Sequence, residues 1–107
     1  MATKEKVEEL NQAIQALARA ISAQASKVSD QTVTNRLIRI QAQLLEAVAN
    51  LGASSTPWSK VRGEDIDTAI ELLSEARTEA SSAVDLPSAR RCGRAVGRAL
   101  EALEALE

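Results

Sequence analysis

Apolar side chains near the N-terminus recur in alternating steps of three and four residues, the spacing of one face of an α-helix. A narrow seam of this kind is typical of helices that pack closely along one neighbour, as in coiled coils. We therefore predict coiled-coil-like packing and an interface between chains along this seam. Its predicted interface residues are Val7, Leu10, Ile14, Leu17 and Ile21.

The composition favours an all-α fold. Good helix formers such as Ala, Leu, Glu, Gln and Arg dominate, and only four Gly and two Pro interrupt the 107 residues. No alternating run rich in Val, Ile and Thr suggests a β-strand. No apolar run approaches the roughly 18 residues of a membrane span, so we expect a soluble protein without membrane association.

Breaks in the apolar pattern divide the chain into four predicted helices. The step from Val28 to Val33 is too long for one phase, and Ser29 or Asp30 can cap a second helix, which ends at Leu51 with Gly52 as a left-handed cap. The third and fourth helices are predicted over about 64–85 and 88–107. Short connections favour antiparallel neighbours, so we predict an up-down four-helix bundle forming a single domain over residues 1–107. The alternative is one N-terminal helix of about 48 residues followed by a C-terminal helical hairpin, completed by dimerisation.

The predicted core contains few large side chains, with one Trp and no Phe or Tyr. Because aromatic residues bury the most area per side chain, such a core gains stability from a partner chain. This indicates a homo-oligomer, with a dimer favoured.

The sequence lacks the residues of several catalytic chemistries. It has no His and a single Cys, Cys92, which excludes His-based metal sites and the Ser-His-Asp and Cys-His sets. We predict no catalytic residue, metal or cofactor, and consider an enzyme the weaker interpretation. One unpaired Cys indicates a reducing compartment, either the cytoplasm or the interior of a bacterial or viral particle.

Arginines are the leading candidate binding residues. Arg77 falls on the predicted apolar stripe of the third helix, so it binds a carboxylate or anion there or extends its head to water. Arg90, Arg91 and Arg94 lie near the start of the fourth helix, where cations oppose the helix dipole. They bind an outside anion, or they pair with Glu75, Glu79 and Asp85 of a neighbouring helix.

Two further features indicate contacts. Gly93 and Gly97 form a small-x-x-x-small step, which favours close approach of another helix and makes them candidate interface residues. Trp58 lies in the long connection over residues 53–63, where Thr56 and Pro57 predict a short helical turn. The Trp58 side chain either closes one end of the bundle or anchors a partner.

These features together predict a non-enzymatic interaction protein, an adaptor, scaffold or assembly component that associates with itself and with a partner protein. The first alternative is an anion-binding or catalytic bundle that uses the arginine cluster. The second is a nucleic-acid accessory protein. A net charge of −2 makes this hypothesis less favoured, because nucleic-acid binding depends on positive charge that neutralises phosphates.

Overall fold

The protein is a four-helix bundle, seen in a computed structural model that describes residues 3–53 and 56–107. Within those residues it contains no β-strand, and the predicted all-α bundle is confirmed. The elements are α1 (Lys4–Lys27), α2 (Gln31–Gly52), a 3₁₀ turn (Trp58–Lys60), α3 (Gly63–Ser81) and α4 (Leu86–Glu104).

A tight turn over residues 28–30 separates α1 from α2. The carboxylate of Asp30 accepts a hydrogen bond from Thr32 N at 2.9 Å and caps α2. The Thr34 hydroxyl donates to Ala25 O and Val28 O at 3.4 and 3.3 Å, which ties the new helix to the end of the old one. The predicted hairpin is therefore confirmed, and the alternative of one 48-residue helix is wrong.

Helix directions alternate along the chain, but only some consecutive helices are neighbours. α1 packs against α2 and α3, and α4 packs against α2 and α3. Lys6 pairs with Asp67 near the first turns of α1 and α3, and Gln24 Nε2 donates to Ala83 O at 2.9 Å where both helices end. α1 and α3 are therefore parallel neighbours, as are α2 and α4. The connection from α2 to α3 crosses the end of the bundle diagonally.

The core is built from leucine, isoleucine and valine facing a helix rich in alanine. Besides Ile66 and Leu73, α3 buries Ala69, Ala76 and Ala80. These buried positions also follow steps of three and four along the helix. Ala76, one residue before Arg77, takes the core position that the predicted stripe gave to Arg77. Arg77 is exposed, so its predicted place on the apolar stripe is wrong. The predicted stripe included Ile70 and Arg77, where the structure instead buries the neighbouring Ala69 and Ala76.

Several predicted helix ends also differ from the structure: α3 ends at Ser81 and α4 at Glu104, before the predicted 85 and 107. Gly52 is the last residue of α2 and has no positive φ, so the predicted left-handed cap is wrong. The α4 helix begins at Leu86, two residues before the predicted start, because Asp85 caps it. The Asp85 carboxylate accepts from Ser88 N at 2.9 Å, and Ser88 Oγ accepts from Asp85 N at 3.0 Å, a reciprocal capping box.

Candidate functional site: the groove between α2 and α4

The parallel helices α2 and α4 enclose a groove on one face of the bundle. At the end where both helices begin, the groove widens into a cavity of about 440 Å³. Arg36 and Arg39 of α2 stand on one side, and Arg90 and Arg94 of α4 stand on the other. Ile40, Gln43 and Gly93 complete the lining, which contains no acidic side chain. We call this region the arginine half of the groove.

The four arginines of this half form no ion pair in the described part of the chain, although Arg94 also lines a smaller cavity together with Glu79. The ion pairs of the described residues lie outside this cavity: they join Lys6 to Asp67, Arg62 to Glu64, and Arg91 to Glu79 at 4.0 Å. Charges of one sign that share a cavity repel each other and are attractive to an outside anion. This arginine half therefore offers four positive charges in a chain whose net charge is −2.

The same groove becomes acidic toward the opposite end. A second cavity of about 620 Å³ begins at Gln43, which lines both cavities. Its charged lining residues are all glutamates: Glu46, Glu101, Glu104 and Glu107. Glu46 follows Arg39 by seven residues and Glu101 follows Arg94 by seven, about 10 Å along each helix. We call this region the glutamate half, and the groove as a whole is segregated by charge.

The predicted arginine cluster is only partly gathered at this site. Arg90 and Arg94 line the groove, whereas Arg91 turns toward α3 and lies near Glu79. Arg36 and Arg39 complete the site but were not identified from the sequence. Their spacing of three residues on α2 was a signal, but only the tertiary arrangement places α2 beside α4.

Gly93 and Gly97 both line the groove, where the close neighbour is α2 of the same chain. A Cβ atom at Gly93 would lie 3.4 Å from Ile40 Cδ1, an ordinary contact distance. A Cβ atom at Gly97 would meet nothing within 4 Å. The floor of the groove is therefore open at Gly97, in the middle of α4.

The predicted interface along α1 is not available to a second chain in this fold. Leu10, Leu17 and Ile21 have no exposed surface, Ile14 is 5% exposed and Val7 is half-buried. The seam instead meets α2 and α3 in the chain's own core, so its assignment to an interface between chains is corrected. A heptad pattern identifies a face that is buried, but not which chain buries it.

Trp58 closes the end of the bundle where α2 and α4 terminate. The indole is half-buried and packs against the core beside Leu51, Val61 and Leu106. The Thr56 hydroxyl donates to Glu107 O at 2.6 Å and joins this connection to the end of the chain. Trp58 does not line the α2/α4 groove.

Arg77, the other predicted binding residue outside the arginine cluster, is exposed on α3 and does not line the groove either.

Burial lowers the reactivity of the single thiol. Cys92 has no exposed surface, and desolvation by burial, with a smaller effect of Glu79, raises the pKa of the thiol to about 11. No cluster of three or more His, Cys, Asp or Glu side chains suited to a metal ion occurs in the described residues. Among these residues there is also no helix long and apolar enough to cross a membrane.

Comparison with protein-family models, curated proteins and solved structures gave no match to this chain.

Proposed function

We propose that this protein is a non-enzymatic interaction protein that associates with itself through the α2/α4 groove. One observation carries the proposal: the groove has an arginine half and a glutamate half of equal formal charge, four positive and four negative. Such a surface is complementary to a second copy of itself. A partner protein would have to present the same order of charges in reverse.

The charge order selects an antiparallel dimer. A two-fold axis through the face near Gln43 and Gly97 would place the arginine half of one chain over the glutamate half of the other. Each chain would use the same patch, and every contact from an arginine of one chain to a glutamate of the other would occur twice, as a two-fold interface requires. A parallel arrangement would oppose like charges, which costs several kcal/mol in such interfaces.

The middle of the face permits close approach. Gly97 has open space above it, and Ala47 and Gln43 beside it are small or uncharged. Two helices about 30 Å long and about 10 Å apart present a footprint of roughly 600 Å² per chain. This is at the low end for a specific interface, so we expect a weak dimer that salt dissociates.

Charge-reversal variants test the proposal by sedimentation velocity across a range of protein concentrations. The first variant, R36E/R90E/R94E, makes the groove acidic except at Arg39. The second, E46R/E101R/E104R, makes it basic except at Glu107. All six positions are exposed, so circular dichroism should show an intact fold. We expect the wild type to dimerise, each variant alone to be monomeric, and an equimolar mixture to form a heterodimer.

A matched control addresses another exposed surface. Ile38 and Leu45 of α2 are 52% and 54% exposed, and neither lines a cavity of the groove. The I38S/L45S variant should dimerise like the wild type. A wild type that stays monomeric at every concentration would refute the proposal, as would a dimer lost in I38S/L45S but kept in both charge-reversed proteins.

A further inference from the structure

We propose that the arginine half of the groove also binds a small, multiply charged phosphate anion of the pyrophosphate class. Its cavity of about 440 Å³ falls within the range of small-molecule sites, and four arginines are among its lining residues. The arginines come from two helices and surround the cavity from both sides. A ligand with two or more negative charges could therefore contact both helices at once.

The lining has the chemistry of a phosphate site. A guanidinium group donates two parallel hydrogen bonds to phosphate oxygens, and the Gln43 amide can add a neutral donor. The floor is formed by Ile40, which is 6% exposed, and by half-buried Gly93. The apolar floor removes water from one side of the ligand, while the exposed arginines remain accessible from solvent.

Repulsion between neighbouring arginines destabilises this part of the fold, and a bound anion would reduce that repulsion. Arg90 and Arg94 are four residues apart on one helix, and like charges at this spacing destabilise a helix. A bound phosphate would relieve this repulsion.

Binding itself does not depend on the dimer, because all four arginines belong to one chain. A consequence that does rest on the proposed function is competition, since the anion and the glutamate half of a second copy would contact the same arginines. Pyrophosphate should therefore shift the dimer toward monomer.

Isothermal titration calorimetry with pyrophosphate at constant ionic strength tests the site. The R36Q/R90Q/R94Q variant should bind at least tenfold more weakly than the wild type. The E46Q/E101Q/E104Q variant keeps the arginines and should bind at least as well, even if it no longer dimerises. As a matched control, R19Q/R77Q removes two exposed arginines outside the groove and should leave the affinity unchanged.

The results separate this inference from the proposed function. Pyrophosphate binding by a wild type that never dimerises would refute only the dimer. A wild type that dimerises, with an E46Q/E101Q/E104Q variant that does not bind pyrophosphate, would refute only the anion site. Equal loss of binding in R19Q/R77Q and R36Q/R90Q/R94Q would also overturn the site, because it would show a general charge effect. Binding of a short DNA duplex without binding of pyrophosphate would replace the small anion by a nucleic-acid backbone and overturn the inference.

Discussion

Asp85 shows how one side chain determines where a helix starts. It accepts hydrogen bonds from Ser88 Oγ at 2.6 Å and from Ser88 N at 2.9 Å. These two bonds, the side-chain bond first, lower the pKa of Asp85, and the charge of Arg91 adds to them. The ionised carboxylate therefore stabilises the folded state relative to the unfolded state.

We predict a pH dependence from this cap. Because the folded-state pKa lies below the unfolded value, the contribution of Asp85 is present above about pH 4 and is lost as the pH falls through the folded-state pKa. In the Asp85→Asn variant, the free energy of unfolding should fall less between pH 7 and pH 2.5 than in the wild type. Urea unfolding at both pH values measures this difference, and identical pH slopes would contradict the prediction.

Cys92 gives a second prediction at the residue scale. With its thiol buried and its pKa raised to about 11, the reactive thiolate is scarce at pH 8. We expect iodoacetamide to label Cys92 in the native protein at least tenfold more slowly than in 6 M guanidinium chloride. Mass spectrometry of quenched samples follows the labelling, and equally fast native labelling would show that this part of α4 opens readily.

At the scale of elements, α4 contains two glycines that weaken it. Glycine in a helix interior costs about 1 kcal/mol relative to alanine. Since no atom lies within 4 Å of a Cβ placed at Gly97, that cost is not offset by a contact inside the chain. Gly97 thus lowers the stability of the helix and leaves open surface in the groove. That combination agrees with the close approach of a second copy that we propose.

Gly97→Ala tests this interpretation. At concentrations where the chain is monomeric, the variant should be more stable than the wild type by about 0.5–1 kcal/mol. Chemical unfolding measures this change in stability. Gly93→Ala serves as the comparison, because its added methyl group would contact Ile40 Cδ1 at 3.4 Å whereas the methyl group at Gly97 would meet open space. A Gly97→Ala variant less stable than the wild type would mean that the groove closes over Gly97 in solution.

At the scale of the whole molecule, the diagonal connection from α2 to α3 decides which helices are neighbours. It carries the chain across the end of the bundle, so α4 returns beside α2 instead of α1. That placement brings Arg36 and Arg39 together with Arg90 and Arg94. The packing of Trp58 against Leu51 and Leu106 holds the connection at that end.

Trp58→Ala should therefore loosen the end of the bundle. Because the indole is half-buried, we expect a loss of about 2 kcal/mol in the free energy of unfolding, with most of it retained in Trp58→Phe. Self-association measured by sedimentation should be unchanged, since Trp58 does not line the groove. A loss of association with no loss of stability would instead identify Trp58 as a partner anchor.

The sequence by itself determined the helical class, and it favoured four helices with a break at residues 28–30 over one N-terminal helix of about 48 residues. These features follow from local physics: apolar spacing, helix propensity and the capping oxygens of Asp30. The hydrophobic seam of α1 was also visible, but the pattern could not show that α2 and α3 bury it. Arg77 was misplaced because a buried alanine and an exposed alanine are alike in sequence.

Only the tertiary structure decided the order of the helices around the bundle, and with it the candidate site. Arg36 and Arg90 are 54 positions apart, and nothing local to either residue specifies that they share a cavity. Their meeting depends on packing among all four helices and on the path of the connection over the bundle end. Helices form from interactions over a few residues, whereas a groove between two helices forms only when the whole core is assembled.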